Sequence, residues 1–330
     1  LAPVHGVGAA EQGQSLGLIQ AWLGALAYTV QIYFDFSGYS DMAIGLARMF
    51  GIKLPANFNS PLKASSIIDF WSRWHMTLTR FLTAYAYTPL VMRMTRNRMA
   101  RGQAVLGRNQ RSVGAFVALV AWPSMATMFL SGLWHGAGVT FIVWGLLHGG
   151  YLIINHGWRL WRPKWDKATY ERWMKPLGFV LTLGAVVVAM VFFRAKSMAG
   201  ALHMLQGMAG LDGVTLPTAV LARMGSLGEW LAQAGVVADL SSGAAFQSAT
   251  LWVVALLLAA TMLPNSLEAM KRFEPALGFQ PPAGATRGAG KTREAWAAHL
   301  TAGWAAWVAL LMLLGVLSLN RISEFLYWQF

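Results

Sequence analysis

The sequence predicts an all-α protein that lies in a membrane, with about six spanning helices. Two observations carry that expectation. Of 330 residues, 56% are hydrophobic and only 12% charged, about half the charge fraction of a soluble domain, whose surface must face water (about 25%). The remaining charges are also segregated. No Asp, Glu, Lys or Arg occurs in Gln12–Phe34, Ser112–Trp158, Pro176–Phe193, Leu240–Leu267 or Ala295–Asn320. A bilayer-spanning helix needs about 20 apolar residues, and the second stretch is long enough for two. The expected spans are 17–34, 112–131, 138–155, 176–193, 248–265 and 300–319. None of these runs alternates in the manner of a membrane β-barrel strand.

Taken in order, the first span ends where Asp35, Asp41, Asp69 and Arg73 enter among aromatics and Pro55 and Pro61 interrupt the chain. Residues 35–90 are too polar for lipid and too apolar for a free loop. Irregular backbone at membrane depth must be covered by protein or line a wet cavity, so a re-entrant or interfacial segment is expected. The second and third spans meet at Ser131–Gly138. The 277–290 stretch, with Pro281 and Pro282, reads as a linker on the cytoplasmic side. The chain starts at Leu1 rather than Met, and a fragment lacking N-terminal helices is expected. No internal repeat is present, and 1–330 reads as a single domain.

The net charge is +13, from 26 basic and 13 acidic residues. It gathers into three stretches: Arg93–Arg111, Arg159–Lys175 and Lys271–Arg293. Two expected spans separate each successive pair, so all three fall on one side, and the excess of Arg and Lys makes that side cytoplasmic. Charge between apolar runs fits loops and anionic lipids better than nucleic acid, so no nucleic-acid partner is expected. The absence of cysteine excludes disulfides, thiolate metal sites and cysteine nucleophiles.

Two short motifs are discarded on context. Gly13-Gln14-Ser15-Leu16-Gly17 fits a nucleophile elbow, but a span follows it and no strand precedes it. Gly290-Lys291-Thr292 resembles the end of a P-loop, but Ala285 replaces the first glycine. The histidines carry more. His135 lies in Gly132-Leu133-Trp134-His135-Gly136-Ala137, at the break between two spans, where an ionisable residue is a functional candidate by default. Its glycines permit close approach of substrate, or simply close helix packing. His75 lies in Asp69-Phe70-Trp71-Ser72-Arg73-Trp74-His75. On a helix, Trp71, Trp74, His75 and Leu78 would share a face, against the alternative of an interfacial aromatic belt. His148 would sit about 140° from His135 around one continuous helix. It reads as packing, its replacement is expected to be mild, and no metal site is expected.

The runs Phe34-Asp35-Phe36-Ser37-Gly38-Tyr39-Ser40-Asp41, Asn57-Phe58-Asn59-Ser60-Pro61, Phe70-Trp71-Ser72-Arg73-Trp74-His75 and Gly132-Leu133-Trp134-His135-Gly136-Ala137, together with Val191–Ala195 and Glu324–Tyr327, resemble the membrane-bound O-acyltransferase family, and within it the bacterial alginate O-acetyltransferase-like branch. The resemblance implies a helical core around a central tunnel, with His135 as the catalytic histidine and His75 as the second site residue. It makes Asp35, Tyr39, Asp41, Asp69, Trp71, Arg73, Trp74 and Trp134 candidates for lining that tunnel. It further implies an inner-membrane enzyme with no permanently bound cofactor. Acetyl-CoA or another acyl thioester would be the cytoplasmic donor substrate. The acceptor would be an exported polysaccharide or cell-envelope glycan, reached directly or through a periplasmic acetyltransferase partner. A transporter or non-catalytic relay using the same cavity is the alternative reading.

Overall fold

A computed structural model describes residues 10–106, 112–163, 165–239, 243–278, 298 and 301–318. The described residues are predominantly helical. The main elements are α1 (Leu18–Met49), α2 (Ile67–Trp71), α3 (Met76–Leu82), α4 (Thr88–Ala100), α5 (Val113–His135), α6 (Val139–Trp161), α7 (Lys167–Arg194), α8 (Met198–Met208), α9 (Thr218–Arg223), α10 (Ser226–Gln233), α11 (Gly243–Met262) and α12 (Ala302–Ser318). Each of the six expected spans overlaps a helix among the described residues, but α1, on which the first one lies, is not among the helices apolar enough to cross a bilayer. Four helices, α5, α6, α7 and α11, are long and apolar enough to do so, whereas α12 is a shorter apolar helix. Residues 107–111, Lys164, most of the expected 277–290 linker, the basic residues of 287–293 and Glu324–Tyr327 lie outside the described residues.

Three differences from the sequence expectations have physical causes. First, α1 does not stop at Phe34 but runs on to Met49, so Asp35, Tyr39 and Asp41 are helical rather than part of a re-entrant segment. Nothing between 35 and 49 breaks a helix. Gly51 ends it in a left-handed conformation (φ 75°), with the Ile52 amide donating to the Ala47 carbonyl at 2.9 Å, the usual glycine stop. Second, Arg93, Arg96 and Arg98 lie on α4, not in a loop, because Arg and Met are good helix formers and no breaker follows Pro89. Third, the stretch between α8 and α11 contains two three-residue strands, β1 (Thr215–Pro217) and β2 (Val237–Asp239), paired in parallel.

Prolines shape the long helices. Pro89, Pro123 and Pro176 each follow one wide π-type turn, at Thr83–Tyr87, Val117–Ala121 and Tyr170–Met174. A proline ring clashes with the carbonyl four residues back and offers no N–H. The widened turn accommodates both defects without ending the helix.

The core is assembled around α5, α6 and α7 with α1 beside them. Gly132 on α5 and Gly145 on α6 face each other, and a Cβ at either would run into the partner helix's backbone. Buried Val186, Val187, Ala189 and Met190 of α7 and Tyr28 and Ile32 of α1 continue this core into the aromatics of α2. After α11 the chain docks against the segment following α1. The Asn265 amide donates to Asn59 and Ser60 at 2.9 Å, and the Leu277 amide donates to the Leu54 carbonyl at 2.8 Å.

Candidate functional site

His75 is not on the continuous helix the spacing predicted. The helix α2 ends at Trp71, and α3 begins at Met76 with His75 as its N-cap residue in a left-handed conformation (φ 42°, ψ 51°). Such a backbone is uncommon for a residue with a Cβ and persists only where its surroundings enforce it. Here they do. The Asn59 amide donates to the Arg73 carbonyl and the Met76 amide to the Asn57 carbonyl, each at 2.9 Å. The Arg73 guanidinium meets the Asp69 carboxylate at 2.7 Å and reaches the Asn59 carbonyl at 3.3 Å. Asp69 and Arg73, expected as tunnel candidates, thus clamp the turn that presents His75.

The neighbours of His75 also fix its proton. The Asn57 side-chain oxygen accepts from the Thr77 hydroxyl at 2.8 Å and the Thr77 amide at 3.3 Å, while the Asn57 amide donates to the Ser40 hydroxyl at 3.2 Å. That oxygen lies 3.0 Å from His75 Nδ1. A carbonyl oxygen can only accept, so the proton is assigned to Nδ1 and the lone pair to Nε2. His75 Nε2 is buried and has no hydrogen-bond partner among the described residues.

His135 is the last residue of α5, and the chain turns through Gly136–Gly138 before α6 starts. Its ring is half-buried and walled by Trp144 and Phe193, with ring centroids at 5.1 and 4.9 Å. Trp134 joins the two histidines. Its ring lies 4.8 Å from that of His135 and 6.3 Å from that of His75. Phe36 packs against the other side of His75 at 4.8 Å. Two histidines 60 positions apart in sequence therefore flank one indole that is itself 57% exposed. One of them carries a free ring nitrogen. Together they can accept from two neighbouring hydroxyls and remove the proton of one of them.

The other expected residues divide. Trp71 and Trp74 are buried in the core, where Trp74 stacks on Phe70 with centroids 5.5 Å apart. Asp35 and Tyr39 lie on an exposed face of α1. Asp41 accepts from the Ser266 hydroxyl at 2.6 Å and lines a cavity of about 340 Å³ with Tyr33, Ser37, Ser60 and Asn265. A second cavity, of about 540 Å³, lies between α6 and α7. Neither histidine lines either cavity, so neither cavity forms the expected tunnel through both. Sequence reasoning gave Asn57 no role. Its signals were its place in the Asn57–Pro61 run and a polar pair, Asn57 and Asn59, between two prolines.

Residues 7–107 match the family model described as MBOAT, membrane-bound O-acyltransferase family. This stretch includes His75. The chain is 44% identical over 207 residues to the peptidoglycan O-acetyltransferase of Helicobacter pylori, covering 62% of this chain and 34% of that protein. It is 39% identical over 215 residues to the probable alginate O-acetylase of Pseudomonas aeruginosa (61% and 36%). To the teichoic acid D-alanyltransferase of Bacillus subtilis it is 30% identical over 169 residues (51% and 40%). The chain spans about a third of the length of the first two relatives. Over residues 7–107, and over the stretches shared with these relatives, this helical chain is similar to the membrane-bound O-acyltransferase family.

Proposed function

We propose that this chain carries the catalytic histidines of an inner-membrane O-acyltransferase, which moves an acetyl group from a cytoplasmic thioester to a hydroxyl of an exported or cell-envelope glycan. The observation that carries this reading is the pairing of His135 and His75 around Trp134. The glycan acceptors named for the relatives support the substrate class.

In this reading His135 is the general base. As the acceptor oxygen attacks the thioester carbonyl, its proton passes to His135 and the C–S bond breaks. His135 then returns the proton to the thiolate, which leaves as the free thiol. The attacking hydroxyl gives its one proton to His135, so His75, with its lone pair on Nε2, accepts a hydrogen bond from a neighbouring hydroxyl of the acceptor glycan and orients the sugar. In that tautomer it has no ring N–H left for the donor carbonyl, so its role falls on the acceptor. Acetyl-CoA is the simplest donor, and it acts as a substrate rather than a resident cofactor. The basic residues of α4 and of the Arg159–Lys175 stretch suit an anionic donor headgroup and anionic lipid. Delivery to the glycan is direct or through a periplasmic partner.

The test is transfer of labelled acetyl from acetyl-CoA by vesicles containing the full-length protein. Label appearing on a glycan hydroxyl supports the reading. Transport of intact solute without any ester formed would replace it with the transporter reading.

A further inference from the structure

His148 is fully buried, and neither of its ring nitrogens has a hydrogen-bond partner among the described residues. An imidazole normally earns its place in a core through a hydrogen bond, since burying an unpaired polar group is unfavourable. What His148 has instead is rings. It stacks on Phe70 (6.1 Å, interplanar angle 9°) and meets Trp71, Trp144 and Tyr151 near edge-on at 5.1, 5.0 and 5.7 Å. Trp144 is one helical turn earlier on α6 and only 2% exposed. Its ring lies 5.0 Å from His148 on one side and 5.1 Å from His135 on another. One indole therefore separates the box from the candidate base.

We infer that His148 is a positioning residue, acting as a neutral aromatic plate that holds Trp144 against His135. Its shape does the work and its nitrogens do not. Removing the ring would open a void bordered by Phe70, Trp71, Trp144 and Tyr151, which a core fills only in part. Trp144 is the neighbour able to tilt into that void, and tilting withdraws the wall of His135. Misplacing a reacting group by about 1 Å can cost about 100-fold in rate. This inference rests on the acyl-transfer reading for its kinetic readout but not for its geometry.

The experiment compares His148→Ala, His148→Leu and His148→Phe in the full-length membrane protein. It has two readouts: acetyl-transfer kinetics, and the rate at which diethyl pyrocarbonate modifies His135, followed by peptide mass. The Leu variant keeps apolar bulk without a plate, so it reports even if Ala fails to fold. The expected result is a kcat lowered about 10–100-fold in Ala and Leu with KM for the thioester unchanged, and an altered His135 modification rate in both. His148→Phe should stay within about threefold of wild type in both readouts, because a planar apolar ring replaces an unpaired polar one. Phe as impaired as Ala and Leu would show that the nitrogens matter and overturn the inference. Wild-type behaviour of Ala and Leu would overturn it as well. If the wild type transfers no acetyl, the functional reading fails, and the modification rates alone decide the matter for His148.

Discussion

Asn57 decides which nitrogen of His75 is free. Its carbonyl oxygen, already taking two donors from Thr77, holds the proton on Nδ1 and leaves Nε2 to accept. His75→Asn should therefore retain part of the activity, since an amide oxygen still accepts from a hydroxyl. His135→Asn should retain none, since an amide is no base near neutral pH. The measurement is the pH–rate profile of each variant. Loss of the histidine-like ionisation in His75→Asn, with activity surviving in His135→Asn, would exchange the two roles. The candidate histidines were legible in the sequence because each sits in an unusual local context, His135 among glycines and His75 among tryptophans and a charge pair. Asn57 was not legible as the residue that sets the tautomer, because that role depends on a contact across an irregular segment. The expectation that His148 only packs holds for one continuous helix running from His135. The break at Gly136–Gly138 removes that geometry and brings both rings onto Trp144.

Among the elements, helix ends and helix contacts hold the site in place. Glu11 secures the start of α8. Its carboxylate accepts from the Lys196 amide at 2.7 Å, the Ser197 amide at 3.1 Å and the Ser197 hydroxyl at 2.6 Å. Partial burial opposes ionisation, but these hydrogen bonds prevail and hold the carboxyl below its ordinary value of 4.5. A group whose pKa is lower folded than unfolded stabilises the fold above its unfolded pKa and loses that effect as pH falls through the folded value. Thermal unfolding of the solubilised protein should thus show Glu11→Gln less stable than wild type at pH 7, with the gap closing below pH 4.5. Equal stability at neutral pH would contradict it. At the α5–α6 contact, Gly145→Val should cost about 1–3 kcal/mol, because the added atoms meet the Met128 backbone. Unchanged thermal stability would show that the two helices are not held this closely. The helices themselves were readable from uncharged runs. The extension of α1 to Met49 was hidden by Asp35 and Asp41, which look like the end of a span but interrupt no backbone hydrogen bond.

At the level of the whole molecule, the fold class was the most legible feature, because segregation of charge from apolar runs is a global property that survives errors at every boundary. The irregular 52–60 segment was recognisable as non-helical from Pro55 and Pro61, but its backbone pairing with residues 73–76 depends on contacts no local pattern records. The charge distribution predicts an orientation that can be tested cleanly, since the chain has no cysteine of its own. Single cysteines at Arg98 and Lys167 should resist an impermeant thiol reagent in intact cells, and one at Ser226 should react. Labelling at either basic position would reverse or redraw the topology. The central claim is that His135 is the base for acyl transfer at the end of α5. Its most direct measurement is labelled acetyl transfer by vesicles, comparing wild type with His135→Ala at equal membrane incorporation. The account predicts a fall of at least about 100-fold in the variant, and near wild-type transfer by His135→Ala would contradict it.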